Sequence, residues 1–193
     1  MPTVSTRSVW GSAAFFAAIT ISAQLLDLRE LWQFTHDTAI SSRVFTAHLV
    51  HSSWSHLALN LLALALSQAL FACSWDRLIV IYLTAAIVIC LGVYVMQVEF
   101  YFGLSGIVHA WLAYGAIMSL SRHDRMTGYL VLIGLGIKLV VELTSGPSER
   151  LEQWIGSQIL TEAHLLGTIS GLCLAVLYTR LSLHRTLSKQ DFL

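Results

Sequence analysis

The sequence predicts an all-α, polytopic membrane protein that forms a single domain over residues 1–193. Hydrophobic residues make up 56% of the chain and charged residues only 11%, whereas soluble domains carry about 25% charged residues. The mean hydropathy of +0.70 agrees with this assignment. A chain of this length has room for about six spans of ~20 residues joined by short loops. We therefore expect a bundle of six transmembrane helices in a lipid bilayer.

The first three expected transmembrane segments are residues 9–26, 47–71 and 78–97. The first ends in small residues, as a signal peptide does, but its apolar run is long enough to cross a bilayer, so we expect it to be a span. A polar stretch over residues 27–44 then forms the first loop. Histidines mark the start of the second segment, and the polar turn Trp75-Asp76-Arg77 separates it from the third, which is rich in isoleucine and valine.

The last three expected transmembrane segments are residues 103–120, 127–143 and 157–178. The fourth follows a short loop and ends at the charged residues 121–125. The fifth ends before a loop that contains Gly146-Pro147, a pair that interrupts helices. The sixth ends where the basic tail begins.

The distribution of lysine and arginine predicts the orientation, because these residues gather in cytoplasmic loops. The amino end, the two even-numbered loops and the tail carry Arg7, Arg77, Arg122, Arg125, Arg180, Arg185 and Lys189. The opposite loops carry only Arg29, Arg43 and Arg150. We therefore expect both termini to face the cytoplasm.

Ser105 lies in the tetrad Gly103-Leu104-Ser105-Gly106, at the start of the fourth segment. Ser105, His164 and Asn60 stand at nearly the same number of residues from the first arginine after their segments. At about 1.5 Å per helical residue, all three lie at one depth, roughly 25 Å above the inner boundary. Polar groups within a membrane are costly and are functional candidates by default. Ser105 and His164 are thus a candidate nucleophile and general base.

His56 and Asn60 stand four residues apart and so share one face of the second segment. They offer an imidazole and an amide donor for an oxyanion hole, together with backbone N–H groups near Ser105. The alternative is a hydrogen-bonded pair with a purely structural role. Glu162 points about 200° away from His164 around the helix, so we expect a Ser-His dyad without an orienting carboxylate.

A stripe of small residues predicts close helix packing on the sixth segment. Ala163, Gly167, Gly171 and Ala175 recur at every fourth position, a spacing that lets two helices approach closely. His164 projects onto the same face, and Gly106 permits a close approach from the fourth segment. We therefore expect these two segments to pack together and to bring His164 towards Ser105.

The patterns His51 with His56-x-x-x-Asn60, Gly103-x-Ser105-Gly106 and Ala163-His164-x-x-Gly167-x-x-x-Gly171 together resemble the rhomboid intramembrane serine proteases, over residues 45 to 175 approximately. The resemblance implies a rhomboid bundle that cleaves transmembrane protein substrates without a cofactor. It implies that Ser105 is the nucleophile and His164 the base. It also implies that His56 and Asn60 line the oxyanion hole, and we expect His51 and Gly103 beside them.

The compact build, and His109 with Ala110 after the serine motif, resemble the rhombosortase branch of that family. This resemblance implies a location in the bacterial cytoplasmic membrane and the removal of a glycine-rich carboxy-terminal sorting tail from substrates. The chain departs from many bacterial rhomboids in two respects: a long first loop with a Trp-Arg signature is missing, and His48 is displaced by one position from a common histidine.

Three other functions are less consistent with the sequence than proteolysis. A metal site at His51, His56, His109 and His164 lacks a His-Glu-x-x-His motif and a carboxylate at ligand spacing, so we expect no metal. An ion path through Lys138 and Glu142 is less consistent with their i,i+4 spacing than a paired or snorkelling couple near the outer interface. A noncatalytic relative that binds membrane helices is expected to lack Ser105 or His164.

The charge pattern and the cysteine spacing favour neither a nucleic acid partner nor a disulfide or zinc site. The formal net charge is +0 and no basic stretch is interleaved with aromatic residues, so we expect no nucleic acid partner. Cys73, Cys90 and Cys173 are odd in number and lack C-x-x-C spacing, which favours a packing role over disulfides or zinc. The sequence carries no signal for the oligomeric state.

Overall fold

In a computed structural model of the chain, which describes residues 6–38, 41–120 and 124–190, helices dominate and the expected all-α class is confirmed. The long helices are α1 (Thr6–Leu25), α4 (Trp54–Phe71), α5 (Trp75–Val95), α6 (Ser105–Leu120), α7 (Arg125–Ser145) and α9 (Thr161–Gln190). The loops contain the short helices α2 (Arg29–Trp32), α3 (Arg43–Thr46) and α8 (Glu149–Ile155), and 3-10 turns at His36–Thr38 and Ala47–Leu49.

Four helices of the described chain are long and apolar enough to cross a bilayer, which confirms a multi-pass membrane protein. They are Trp54–Phe71, Trp75–Val95, Arg125–Ser145 and Thr161–Ser182. Two shorter apolar helices, Trp10–Leu25 and Ser105–Leu120, fall on the first and fourth expected segments. A count of six spans therefore stays a prediction. So does the orientation of the termini, and Arg122, which supports it, lies outside the described residues.

Two helices begin later than the sequence predicted. The second expected segment starts at Trp54 rather than at residue 47, because Ser53 has extended backbone and its Oγ accepts a hydrogen bond from the His56 N–H at 3.1 Å. An N-cap of this kind stabilises a helix start. The sixth starts at Thr161 rather than at residue 157, because α8 ends at Ile155, Gly156 with φ +71 caps it, and an irregular stretch follows.

The described part of the first loop contains regular secondary structure, which its polar composition did not predict. Its strand β1 (Phe34–Thr35) pairs antiparallel with β2 (Phe100–Tyr101), which precedes α6. Phe34 and Tyr101 are opposite each other and both are buried. The first loop is thereby joined to the segment that leads into Ser105.

The contact between α6 and α9 lies at the centre of the bundle. A Cβ atom added at Gly167 would overlap the backbone carbonyl of Gly106, and one at Gly171 would overlap that of Ala110. A Cβ at Gly106 would in turn lie 3.0 Å from the Ala163 carbonyl oxygen. The two helices therefore meet backbone to backbone, with no room for a side chain between them.

Helices α5 and α7 support this pair unequally. α5 packs beside α6 and α9, and its Ala85, Ala86, Ile89 and Val93 are fully enclosed. On α7, by contrast, only Gly128, Leu135 and Leu139 are buried. Apart from Lys138 and Glu142, most of its other side chains are apolar and exposed, as expected of a helix that faces lipid. α7 is thus the more peripheral of the two supporting helices.

Candidate active site

Ser105 is the first residue of α6, and a glycine shapes the turn before it. Gly103 has φ +114, a backbone conformation that side chains of L-residues rarely adopt. Its N–H donates to the Ala47 carbonyl oxygen at 3.0 Å, and a Cβ there would lie 3.3 Å from the His56 ring. Gly103 therefore lets the chain turn sharply against His56 and places Ser105 at the helix start.

The Ser105 hydroxyl lies next to an imidazole from α9. His164 Nε2 is 3.0 Å from Ser105 Oγ, within hydrogen-bond range, and the imidazole is buried. The two residues are 59 positions apart in the chain and come together through the glycine contact between α6 and α9. This is the geometry that a general base requires to take a proton from a serine hydroxyl.

A carboxylate contacts the other nitrogen of the same imidazole. Glu142 Oε2, on α7, is 2.9 Å from His164 Nδ1. Glu142 also pairs with Lys138, as expected from their spacing, and Lys138 Nζ is itself 3.4 Å from His164 Nδ1. The expectation that no carboxylate orients His164 is therefore wrong. The pair lies at the site, with the Glu142 side chain only 12% exposed.

A second histidine stacks on His164. The rings of His109 and His164 are 4.1 Å apart and nearly parallel, with an interplanar angle of 9°. His109 lies one turn after Ser105, and its Nδ1 is 2.7 Å from the Ser105 carbonyl oxygen. His109 therefore donates to the backbone and covers one face of the His164 ring, while the serine hydroxyl meets His164.

His56 and Asn60 line the same cavity as Ser105 and His164. His56 Nδ1 is 3.0 Å from Ser52 Oγ, and Asn60 Nδ2 donates to the His56 backbone carbonyl at 3.1 Å. His51 and Gly103 are not among the described residues that line the cavity. His51 lies behind His56, with the ring centroids 5.0 Å apart and the planes nearly perpendicular.

The cavity has a volume of about 370 Å³ and combines polar and apolar walls. Its polar lining consists of His56, Asn60, Ser105, His109, Lys138, Glu142 and His164, with Glu99 and Gln158 at other positions. The apolar lining includes Leu59, Val98, Phe102, Leu151 and Ile159. A mostly apolar pocket with a few convergent polar groups is typical of a ligand site.

Serine hydroxyls tie one wall of the cavity to the start of α4. Ser52 and Ser53 donate to the Ile155 carbonyl oxygen at 2.8 and 2.6 Å, and Ser55 donates to that of Trp154 at 2.5 Å. These carbonyls belong to the last turn of α8, where they lack partners within the helix. The loop between α7 and α9 is thereby held beside His56.

His48 supports the turn before Ser105 from within the bundle. Its Nδ1 is 3.2 Å from the Tyr101 hydroxyl, which donates to the Gly103 carbonyl oxygen at 3.1 Å. On the other side, His48 Nε2 is 3.7 Å from Cys90 Sγ. His48 is fully buried and so belongs to the framework that holds Gly103.

Within the part of the chain that the structure describes, no three histidine, cysteine, aspartate or glutamate side chains are grouped to hold a metal ion. His109 and His164 stack face to face instead of converging on a point between them. Cys73, Cys90 and Cys173 form no disulfide with one another; the first two are buried and Cys173 is exposed.

Comparison with known proteins assigns most of the chain to one family model. The model, described as a rhomboid domain, matches residues 39–181. The matched range contains Ser105, Glu142 and His164, together with His56 and Asn60. No curated protein matches the chain.

Proposed function

Because this chain belongs to the rhomboid family, whose members are generally intramembrane serine proteases, we propose that it is a serine endopeptidase that cleaves membrane-anchored proteins. The observation that carries the proposal is the 3.0 Å approach of His164 Nε2 to Ser105 Oγ. Neither residue has another obvious reason to be polar at this depth, since intramembrane polar groups are costly.

In the proposed reaction, Ser105 Oγ attacks the carbonyl carbon of a substrate peptide bond. His164 Nε2 takes the hydroxyl proton and later returns it to the leaving amine, which produces an acyl-enzyme. Water then attacks the acyl carbon with His164 again acting as base. His164 returns the proton to Ser105 Oγ as the carboxylic acid product is released, which regenerates the serine hydroxyl. The cavity of about 370 Å³ beside Ser105 offers space for this water.

The tetrahedral intermediate carries a negative oxygen that needs hydrogen-bond donors. We assign this role to the Ser105 backbone N–H, freed at the start of α6, and to the side chains of His56 and Asn60, which line the cavity. In the resting conformation the Asn60 amide donates to the His56 carbonyl. Its second N–H remains for the oxyanion.

Asn60→Asp keeps the shape of the side chain but removes both N–H donors. We expect kcat to fall by about 10² to 10³-fold, with a smaller change in KM, because the lost donors act mainly on the transition state. Reporter cleavage under saturating substrate measures this effect. Equal kcat values in the parent, Asn60→Asp and His56→Phe would refute the oxyanion assignment.

We further propose that the substrate is a protein with a transmembrane helix and that the enzyme acts in the bacterial cytoplasmic membrane, with both its termini in the cytoplasm. The resemblance to the rhombosortase branch supports a substrate with a glycine-rich carboxy-terminal sorting tail. Co-expression with such a tailed protein, compared with one whose glycines are replaced by alanine, tests this class of substrate.

The function is tested with purified protein in proteoliposomes, a membrane-anchored reporter and a fluorophosphonate probe. We expect reporter cleavage and covalent labelling, with the label found at Ser105 by mass spectrometry and absent from Ser119, a buried serine on the same helix. Loss of cleavage should track the extent of labelling. Reporter binding with neither cleavage nor labelling would favour a noncatalytic role. Stoichiometric metal in the protein, lost in His56→Ala, would favour a metal-dependent one.

A further inference from the structure

The Nδ1 atom of His164 lies near one hydrogen-bond acceptor and one hydrogen-bond donor. Glu142 Oε2, which only accepts hydrogen bonds when ionised, is 2.9 Å away. Lys138 Nζ, which only donates, is 3.4 Å away. The other ring nitrogen, Nε2, faces Ser105 Oγ. The protonation of Nδ1 therefore depends on which of these two neighbours it bonds.

The choice decides whether His164 acts as a base. A neutral imidazole has one N–H and one lone pair. When Nδ1–H donates to Glu142, the lone pair is on Nε2, where it accepts the Ser105 proton. When Nδ1 instead accepts from the Lys138 ammonium, the hydrogen is on Nε2 and no lone pair faces Ser105. The second tautomer is inactive in the proposed reaction.

We propose that Glu142 is a positioning residue that holds His164 in the active tautomer, so that the site works as a Ser105–His164–Glu142 triad. Glu142 does this directly, through the bond to Nδ1, and indirectly, by engaging the Lys138 ammonium that favours the wrong tautomer. This inference rests on the proposed function. Glu142 keeps its negative charge throughout and stabilises the imidazolium that forms when Nε2 takes the serine proton.

Two neighbouring groups restrain the His164 ring in different ways. His109 stacks on the ring face and restricts its tilt, but a face-to-face contact does not distinguish one ring nitrogen from the other. The edge contacts at Nδ1 make that distinction, and of these Glu142 favours the active tautomer whereas Lys138 favours the other. Glu162, the nearest carboxylate along the same helix, bonds instead to the Thr161 hydroxyl at 3.4 Å. Glu142 therefore has no substitute on α9.

The first test compares two carboxylate-to-amide variants in reporter cleavage. For Glu142→Gln we expect kcat to fall on the order of 10³ to 10⁴-fold, as for loss of the orienting carboxylate of a serine triad. KM should change by less than about threefold, because the substrate contacts are retained. The rate of fluorophosphonate labelling of Ser105 should fall in parallel. Glu162→Gln is the matched control and should cleave within about twofold of the parent.

The second test separates a tautomer effect from loss of structure. In Glu142→Gln, Lys138 is left to donate to Nδ1, so the double variant Lys138→Met/Glu142→Gln should recover about tenfold in both kcat and labelling rate relative to Glu142→Gln. Lys138→Met alone should lose far less than Glu142→Gln. A misfolded Glu142→Gln protein would not regain activity when a second residue is removed, so recovery supports the proposal.

The outcomes also separate this inference from the proposed function. If the parent cleaves, Ser105→Ala does not, and Glu142→Gln matches the parent, the triad is refuted while the protease assignment stands. If Glu142→Gln loses activity but the double variant loses as much or more, Glu142 acts structurally and the tautomer proposal is overturned. If the parent neither cleaves nor labels, the proposed function itself fails.

Discussion

Replacing either Ser105 or His164 by alanine is expected to reduce kcat for reporter cleavage on the order of 10⁵ to 10⁶-fold. The two side chains share one proton across a 3.0 Å contact, so neither retains its role without the other. For the same reason, the double variant Ser105→Ala/His164→Ala should be no slower than either single variant. Cleavage in proteoliposomes over long incubation, quantified by immunoblot, measures the residual rate.

Ser119→Ala is the matched control for this experiment. Ser119 lies on α6 with Ser105, is buried, and donates to the Ala116 carbonyl oxygen of its own helix. We expect the Ser119→Ala protein to cleave at the parent rate. Cleavage by Ser105→Ala at more than a few per cent of the parent rate would mean that another nucleophile performs the reaction. Additive losses in the double variant would mean that the two residues act separately.

Gly167→Ala is expected to damage both the fold and the site, although it adds only one methyl group. That methyl would overlap the Gly106 carbonyl oxygen, which is backbone and cannot rotate away. Overpacking of this kind costs about 1–3 kcal/mol of the free energy of unfolding. Because Gly106 adjoins Ser105 and Gly167 lies one turn from His164, the helices must separate where the reacting atoms meet. A displacement of about 1 Å there lowers kcat on the order of 10²-fold.

Thermal unfolding in detergent and reporter cleavage measure the two effects of Gly167→Ala. The matched control is Gly136→Ala on α7, where an added Cβ has nothing within 4 Å. Alanine has a higher helix propensity than glycine, so Gly136→Ala should unfold at or slightly above the parent temperature and keep full activity. A Gly167→Ala protein as stable and active as Gly136→Ala would refute close backbone packing at the site.

The sequence predicted the site features that the residues of a single helix reveal. Intramembrane Ser105 and His164 are costly polar groups, and the glycine spacing of α9 indicates which face meets a neighbour. Together these features predicted that α6 and α9 pack and that the two side chains lie at one depth. The structure shows this contact, with His164 Nε2 next to Ser105 Oγ.

Glu142 was not predicted because its role depends on a third helix. Its i,i+4 spacing to Lys138 explains an ion pair without any further partner, and spacing along α9 identifies only Glu162 as a carboxylate near His164. The sequence gives the face of α7 that carries Glu142, but not the rotation of that helix against α9. An acidic residue in an apolar span was the available signal.

The loops were predicted less well than the helices. Residues 43–53 contain two short helical turns and an extended cap before α4 begins, although residues 47–53 were expected to belong to the second span. Hydropathy measures transfer into lipid and not backbone conformation, so it cannot separate these turns from the span that follows. The pairing of β1 with β2 joins residues 65 and 67 positions apart in the chain. Local sequence patterns do not predict contacts over such a separation.

The glycine contact lies near one end of α9, so a rotation of that helix about Gly167 has its centre close to the reacting atoms. At 1.5 Å per residue, about 4.5 Å of helix separates His164 from Gly167, while roughly 35 Å separates Gly167 from Gln190. A small rotation about Gly167 therefore moves the far end about eight times as far as the imidazole. Membrane helices respond to changes in bilayer thickness by tilting. We therefore expect such tilts to displace mainly the far end of α9 and to change the distance between the reacting atoms little.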